Sequence, residues 1–162
     1  MNLHINVGNL PKEGSLLVFN IKEENISVKE VTGEVHVQVE IRKSGNFYNV
    51  EGLEEYDLSL TCSRCLENIN RHDKSNFQLK FKNKTDYTID GGLTRKFDKN
   101  KNEYIVENNC INLGPFLRDQ IILSVPMKPL CSEDCEGLCP ICGANLNQTT
   151  CAHSRAKENS FT

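Results

Sequence analysis

The 162-residue sequence has no long hydrophobic run. Its longest apolar stretch covers Leu16 to Phe19, whereas a helix that crosses a bilayer needs about 20 apolar residues. The opening residues, MNLHINVGNL, also lack the basic start and the apolar centre of a secretory signal peptide. These absences argue against a membrane-spanning helix, and we expect a cytoplasmic protein that has no membrane partner.

Patterns that mark enzymes are missing as well. The sequence shows no combination of serine, cysteine and histidine typical of nucleophilic catalysis, and no glycine-rich loop that would bind phosphate. Charged residues make up 25% and hydrophobic residues 38% of the chain, a composition typical of soluble globular domains. We therefore expect a non-enzymatic protein that has no small-molecule substrate.

Cysteine, by contrast, is abundant: the chain has eight, and all but Cys110 belong to closely spaced pairs of candidate ligands. The pairs are Cys62 with Cys65 (the first pair), Cys131 with Cys135 (the second), Cys139 with Cys142 (the third) and Cys151 with His153 (the fourth). In a reducing compartment such pairs bind metal or perform redox chemistry more often than they form disulfides. Because structural zinc takes four thiolate or imidazole ligands, usually as two pairs, the sequence predicts one or two structural Zn²⁺ ions.

The third pair carries the most specific of these signals, Cys139-Pro140-Ile141-Cys142-Gly143, which has the form of a zinc knuckle. Two intervening residues let both sulfurs point inward. Pro140 fixes φ at the first turn position, and Gly143 accepts a positive φ that other residues resist. The first pair is expected at a turn between strands, while the one-residue gap of the fourth pair makes it the least diagnostic.

The spacing of the cysteines does not determine which two pairs combine to form each metal site. In one arrangement the third and fourth pairs form a local site, and the second pair reaches back to the first. In another, the first pair combines with the third. In a third arrangement the second and third pairs form a single site. We favour the first arrangement, which would pin the C-terminal segment onto the sheet and close a long loop.

Hydrophobic periodicity predicts an α+β protein that is mainly β. Alternation from Ile26 to Phe81 indicates an antiparallel β-meander or partly closed barrel, with a turn at residues 44–46 and a further short strand over Tyr104 to Val106. A long loop is expected over residues 83–103. Helical spacing near residues 112–125, with Asn112 as N-cap, predicts one C-terminal helix. We expect a β-rich domain over residues 1–130, a zinc-binding cysteine-rich segment over 131–153 packed on it, and a flexible tail over 154–162.

Charge is unevenly distributed along the chain. Residues 1–61 carry 5 basic and 10 acidic groups, whereas residues 62–101 carry 10 basic and 5 acidic groups. A local basic face can bind phosphate although the whole chain has a net charge of −3. The predicted RNA-binding residues are Arg64, Arg71, Lys74, Lys80, Lys82, Lys84, Arg95 and Lys96. The alternative is an ordinary solvated face whose lysines discourage edge pairing.

The cysteine motifs and the sequences around them resemble a known family. A CxRC turn after a meander, the stretch LSVPMKPLC, the stretch CEGLCPICGANLN and a final Cys151 resemble the YceD-like family, the large ribosomal RNA subunit accumulation proteins. The resemblance implies a non-enzymatic factor in large ribosomal subunit biogenesis, which supports rRNA accumulation by binding rRNA or a ribosomal protein. It places the seven paired cysteines on family motif positions. The last family position is usually cysteine, and here it is His153.

A thiol redox protein or sensor built on a CxxC pair is the alternative function. Such a protein needs an exposed cysteine of low pKa. The sequence offers no thioredoxin-like βαβ context around the first or third pair. We therefore favour the ribosomal reading, with the cysteines as structural metal ligands.

Overall fold

The computed structural model describes residues 3–11, 14–83, 97–98, 103–106 and 108–153. These residues form eight strands, one short 3-10 helix and one α-helix. The strands are β1 (His4–Asn6), β2 (Ser15–Lys22), β3 (Val31–Ser44), β4 (Phe47–Thr61), β5 (Asn68–Asn83), β6 (Phe97–Asp98), β7 (Glu103–Val106) and β8 (Cys110–Asn112); the 3-10 helix is Glu23–Asn25 and the α-helix, α1, is Gly114–Ser124.

The predicted antiparallel meander is confirmed. Strands β2 to β5 pair consecutively and antiparallel, and β7 then joins β5 in parallel before β6 pairs with β7, which gives the order β2-β3-β4-β5-β7-β6. Strands β1 and β8 form a separate two-stranded ribbon. The alternation that predicts the meander is visible in β3, where Val37, Val39 and Ile41 are buried and the residues between them face outward.

The prediction of a partly closed barrel is wrong. Within the described ranges the six-stranded sheet is open, with β2 at one edge and β6 at the other. A barrel requires ladder hydrogen bonds between its first and last strands, and period-two alternation carries no information about that pairing. The described part of the chain is therefore mainly β, with an open sheet, one α-helix and a cysteine-rich C-terminal segment.

The hydrophobic core lies on one face of this sheet. Helix α1 covers that face with Leu117 and Ile121, which are fully buried. Its Phe116 ring packs at 5.3 Å, centroid to centroid, on the ring of Phe77 in β5. None of the helices in the described part of the chain combines the length and the apolar character that crossing a membrane requires.

Helix α1 confirms the predicted C-terminal helix, but its N-cap lies one residue later than expected. Asn112 ends strand β8 instead of capping the helix, because its backbone pairs with His4 in the β1–β8 ribbon. The N-cap residue is Leu113, which has no side-chain capping bond. The Asn112 side chain still accepts a hydrogen bond from the Gly114 N–H at 3.1 Å, so it supports the helix start from one position earlier.

The short strand predicted over Tyr104 to Val106 is confirmed as β7. The loop predicted over residues 83–103 falls mostly outside the described residues, although Phe97–Asp98 within it forms β6. The flexible tail predicted over residues 154–162 also falls outside them.

A glycine in β4 makes room for an aromatic ring. Gly52 lies opposite Phe77 in the β4–β5 ladder, and a Cβ atom at Gly52 would lie 2.3 Å from Cζ of Phe77. Phe77 is buried and held on its other side by Phe116, so the ring has little freedom to retreat. We expect Gly52→Ala to lower the free energy of unfolding by about 1 to 3 kcal/mol, measured by urea denaturation.

The matched control is the same substitution in a Phe77→Leu background, where the shorter side chain leaves space for the new methyl group. There the added cost of Gly52→Ala should fall by about 1 kcal/mol or more. An equal cost in both backgrounds would show that the ring contact does not explain the glycine.

Candidate metal centres

The first and second pairs converge at one end of the meander. Cys62 directly follows β4 and Cys65 lies in the turn that leads to β5, while Cys131 and Cys135 lie in the segment after α1. The turn is closed by a backbone hydrogen bond from the Leu66 N–H to the Cys62 carbonyl at 3.0 Å. These four cysteines, which we call the first cluster, have sulfurs that all lie within 4.8 Å of one another.

The spacing of these sulfurs fits a tetrahedral metal site. Sulfurs bound to one Zn²⁺ at about 2.3 Å are about 3.8 Å apart. The observed distances are 3.7 Å between the sulfurs of Cys62 and Cys135, and 3.6 Å between those of Cys65 and Cys131. A disulfide would need about 2.05 Å, and all eight cysteines are free thiols. The four sulfurs therefore form a donor set that suits one Zn²⁺.

Backbone hydrogen bonds stabilise the thiolate form of Cys62 in the first cluster. The pKa of Cys62 is lowered to about 6, chiefly because the Cys65 backbone N–H donates toward its sulfur, with a further N–H from Cys131 at 3.4 Å. At Cys65 the Glu67 N–H favours the thiolate, but burial and the neighbouring thiols outweigh it and raise the pKa to about 12. A divalent cation would replace the protons retained by such crowded thiols.

Arg64, between the first two ligands, braces the cluster through backbone carbonyls. Its guanidinium donates to the carbonyl of Cys135 at 2.9 Å and to that of Glu133 at 3.2 Å. These bonds hold the second pair against the turn that carries the first pair. Arg64 is one of the predicted RNA-binding residues, and the structure engages its side chain in these bonds within the protein.

The third and fourth pairs form a second set, the second cluster, in which the ligand atoms of Cys139, Cys142, Cys151 and His153 also lie within 4.8 Å of one another. The knuckle has the expected backbone: Gly143 has φ of +73°, and its N–H donates to the Cys139 carbonyl at 2.9 Å. The structure thus groups the pairs as in the favoured arrangement of the three that the sequence leaves open.

The two clusters differ in exposure. In the first cluster Cys62, Cys65 and Cys135 are buried, whereas in the second only Cys139 is buried. Backbone N–H groups, that of Cys142 foremost, lower the pKa of Cys139 to about 6. The second cluster therefore offers a preformed thiolate, but its remaining ligands are more open to solvent.

The predicted RNA-binding residues do not share one surface. Along β5, Lys74, Lys80 and Lys82 lie on the face of the sheet opposite the core. Arg71 lies on the core side instead, where it forms an ion pair with Asp73 at 2.5 Å and donates to the Ser124 carbonyl at 2.9 Å. Lys84, Arg95 and Lys96 lie outside the described residues.

An aromatic ring that the sequence reading missed lies beside two of these lysines. The Nζ atom of Lys80 lies 4.0 Å from the ring centroid of Phe47, and that of Lys82 lies 5.8 Å from it. The alternating register of β4 and β5 is the signal that could have placed Phe47 next to Lys82. Lys74, by contrast, is engaged by Glu55 at 2.5 Å.

A mainly β protein whose cysteine pairs converge into two four-ligand clusters is the class that this fold and these sites define. The model of the family described as "Large ribosomal RNA subunit accumulation protein YceD" matches residues 50–162, and the chain belongs to this family. The matched region contains β5, α1 and both clusters. The resemblance seen in the sequence is thereby confirmed.

Two plant relatives carry the same description. The chain is 26% identical over 145 residues to the chloroplastic "Large ribosomal RNA subunit accumulation protein YCED homolog 1" of Arabidopsis thaliana, with 77% of this chain and 45% of the relative covered. It is 42% identical over 40 residues to the homologue of the same name from Zea mays, with 25% of this chain and 14% of the relative covered. The chain spans less than half the length of these curated relatives. No solved structure matches. The cytoplasmic location and the lack of catalysis stay predictions.

Proposed function

We propose that this protein is a non-enzymatic factor in large ribosomal subunit biogenesis, which supports accumulation of the large-subunit rRNA by binding that RNA. The observation that carries the proposal is family membership over residues 50–162. The family description concerns large-subunit rRNA itself. A direct contact between this chain and the RNA is the simplest way to act on its accumulation.

Structural zinc is the second part of the proposal, with one Zn²⁺ held by each cluster. The sulfur spacing in the first cluster and the four ligands available to each cluster support it. When bound, Zn²⁺ would neutralise thiolate charge and hold the ligand-bearing segments together. Four protein ligands leave no open coordination position for a substrate, and this supports a structural role.

The redox alternative is less well supported. A catalytic thiol must be accessible to its disulfide partner. The two thiols with pKa lowered to about 6, those of Cys62 and Cys139, are both buried. Each also lies among other ligand atoms within 4.8 Å, an arrangement that suits shared coordination of a cation.

The outer face of the sheet supplies a candidate RNA contact at Phe47, Lys80 and Lys82, which we call the aromatic-basic patch. Lysine ammonium groups bind phosphate oxygens without reading sequence, and an aromatic ring stacks on unpaired bases. Both lysines lie near the ring on neighbouring strands. The combination favours an unpaired or irregular RNA segment over a regular duplex.

We expect the double variant Lys80→Glu and Lys82→Glu to bind large-subunit rRNA at least about ten times more weakly than the unaltered protein. The slope of the logarithm of the binding constant against the logarithm of the salt concentration should become less steep by about 1.5, because two phosphate contacts are lost. Filter binding between about 50 and 200 mM salt, together with co-sedimentation on large-subunit precursors, measures both effects.

Lys22→Glu combined with Lys29→Glu is the matched control, since it makes the same change in net charge at two exposed lysines outside the aromatic-basic patch. An equal loss in this control would assign the effect to net charge alone. Unchanged binding of the double variant would rule the aromatic-basic patch out. If the double variant no longer bound rRNA in the filter assay but still co-sedimented with large-subunit precursors, the partner would be a ribosomal protein instead.

A further inference from the structure

The chain between the third and fourth pairs contacts the first cluster as well as its own. Residues 144–149, the bridging segment, connect Cys142 to Cys151, both of which are ligands of the second cluster. Within this segment Asn145 forms a β-bridge with Leu138, which lies between the second and third pairs. The segment is therefore placed to contact both clusters.

One side chain of the bridging segment reaches a sulfur of the first cluster. The amide nitrogen of Asn147 donates to Sγ of Cys135 at 3.3 Å. Its amide oxygen accepts the N–H of Glu136 at 2.8 Å, so both ends of the amide are engaged by the second pair and its neighbour. Asn145 Oδ1 accepts from both the backbone N–H and the side-chain amide of Asn147, each at 3.0 Å. These bonds leave the Asn147 amide one orientation.

The bridging segment is also attached to the turn that carries the first pair. The carboxylate of Glu67, two residues after Cys65, accepts a hydrogen bond from Asn145 Nδ2 at 3.0 Å and another from the side-chain amide of Gln148. The bridging segment thus touches the neighbourhood of both ligand pairs of the first cluster.

We propose that Asn147 is a positioning residue for the first cluster and that the bridging segment couples the two metal centres, so that metal in the second centre slows metal loss from the first. The inference rests on the proposed zinc binding. An N–H donated to a thiolate fixes the sulfur and offsets its charge, and loss of such a partner typically weakens metal binding about 10- to 100-fold.

The coupling follows from how the bridging segment is anchored. With the second centre loaded, both ends of the segment are tied to one metal, and Asn147 loses little further freedom when it holds Cys135. With the second centre empty, the segment is released at both ends and the same bond becomes entropically more costly. Because the ligands of the second cluster are the more exposed, it is expected to lose metal first.

The coupling can be tested on the full chain, loaded with zinc and mixed with an excess of a chromogenic chelator. The unaltered protein should release about two Zn²⁺ per chain in a fast and a slow phase, the slow phase from the first centre. Asn147→Ala should accelerate the slow phase about 10-fold or more, although Asn147 is not a ligand. His153→Ala, which alters only the second cluster, should also accelerate it several-fold.

Asn49→Ala is the control for the substitution itself, because Asn49 is exposed on β4 and its change should leave both phases as they are. Absorption of the Co²⁺-loaded protein reports separately on four-sulfur coordination at the first centre, which Asn147→Ala should perturb. A slow phase that is unchanged in either Asn147→Ala or His153→Ala would overturn the coupling. Zinc content near zero in the unaltered protein would instead overturn the proposed zinc binding.

Discussion

Cys135→Ser should reduce the zinc content from about two ions per chain to one or fewer, and should lower the free energy of unfolding by about 4 kcal/mol or more. The physical reason is loop closure. Cys62 and Cys135 are separated by 73 positions, and joining such distant residues removes conformational entropy from the unfolded chain. For a chain of this size the loss corresponds to a fall in Tm of about 10 °C or more.

Metal analysis and thermal unfolding measure this prediction, and limited proteolysis locates the damage. Cleavage should increase between Leu130 and Cys151, because Cys135 helps to hold that part of the chain against the turn at the end of β4. Cys110→Ser is the matched control. Cys110 belongs to neither cluster, and its sulfur lies 3.6 Å from Nδ1 of His4. If the two variants retained equal zinc and equal stability, the first cluster would not be a metal centre.

The meander and the grouping of the cysteine pairs are the features that sequence reasoning predicts well. The alternation of Val37, Val39 and Ile41 is a local pattern of period two, and the third and fourth pairs are neighbours in the chain, which leaves the distant first and second pairs to combine with each other. The short ribbon of β1 and β8 was missed because three-residue strands carry too little pattern to be recognised. Sheet closure was wrongly predicted because it depends on distant edges.

The side chains of Arg71 and Asn147 show that a local sequence pattern does not place a residue unless the strand register and the path of the chain are also known. Arg71 was grouped with Lys74 and Lys80 by charge, yet its odd position puts it on the same face of β5 as Phe77. The contacts of Asn147 depend on how the bridging segment folds back on Cys135, which no spacing rule contains. Parity along a strand, applied to every charged residue, would have corrected the assignment of Arg71.

The alternation of core-facing and outward-facing residues along β4 also places an acidic residue, Glu54, in the core. Glu54 lies in β4 on the face that carries Tyr56 and Leu58, and it is 0% exposed. Neither carboxyl oxygen has a hydrogen-bond partner among the described residues. Burial raises the pKa of Glu54 from 4.5 to about 7, because the charged form loses its hydration. The folded protein therefore binds a proton at Glu54 more tightly than the unfolded chain does.

Glu54→Met should consequently stabilise the protein in a pH-dependent way. Because the pKa of Glu54 is raised in the folded state, the unaltered protein has its full stability below the unfolded pKa of 4.5. It loses the part that depends on neutral Glu54 as the pH rises through the folded pKa of about 7. At 1.36 kcal/mol per pKa unit, the ionisable side chain costs about 1 kcal/mol at pH 5 and about 3 kcal/mol at pH 8. Removing it should restore that stability, so the gain measured by urea denaturation should grow by about 2 kcal/mol between these two pH values.

Glu51→Gln provides the control, since Glu51 is on the same strand but exposed on the opposite face. Its stability difference from the unaltered protein should not grow between pH 5 and 8. Taking differences between variants at each pH also cancels the pH dependence of metal binding, provided that all three proteins carry the same zinc. A Glu54→Met gain that stays constant over this range would mean that the carboxyl group ionises freely in the folded state. The unpaired oxygens would then have to be hydrated inside the core, which their complete burial argues against.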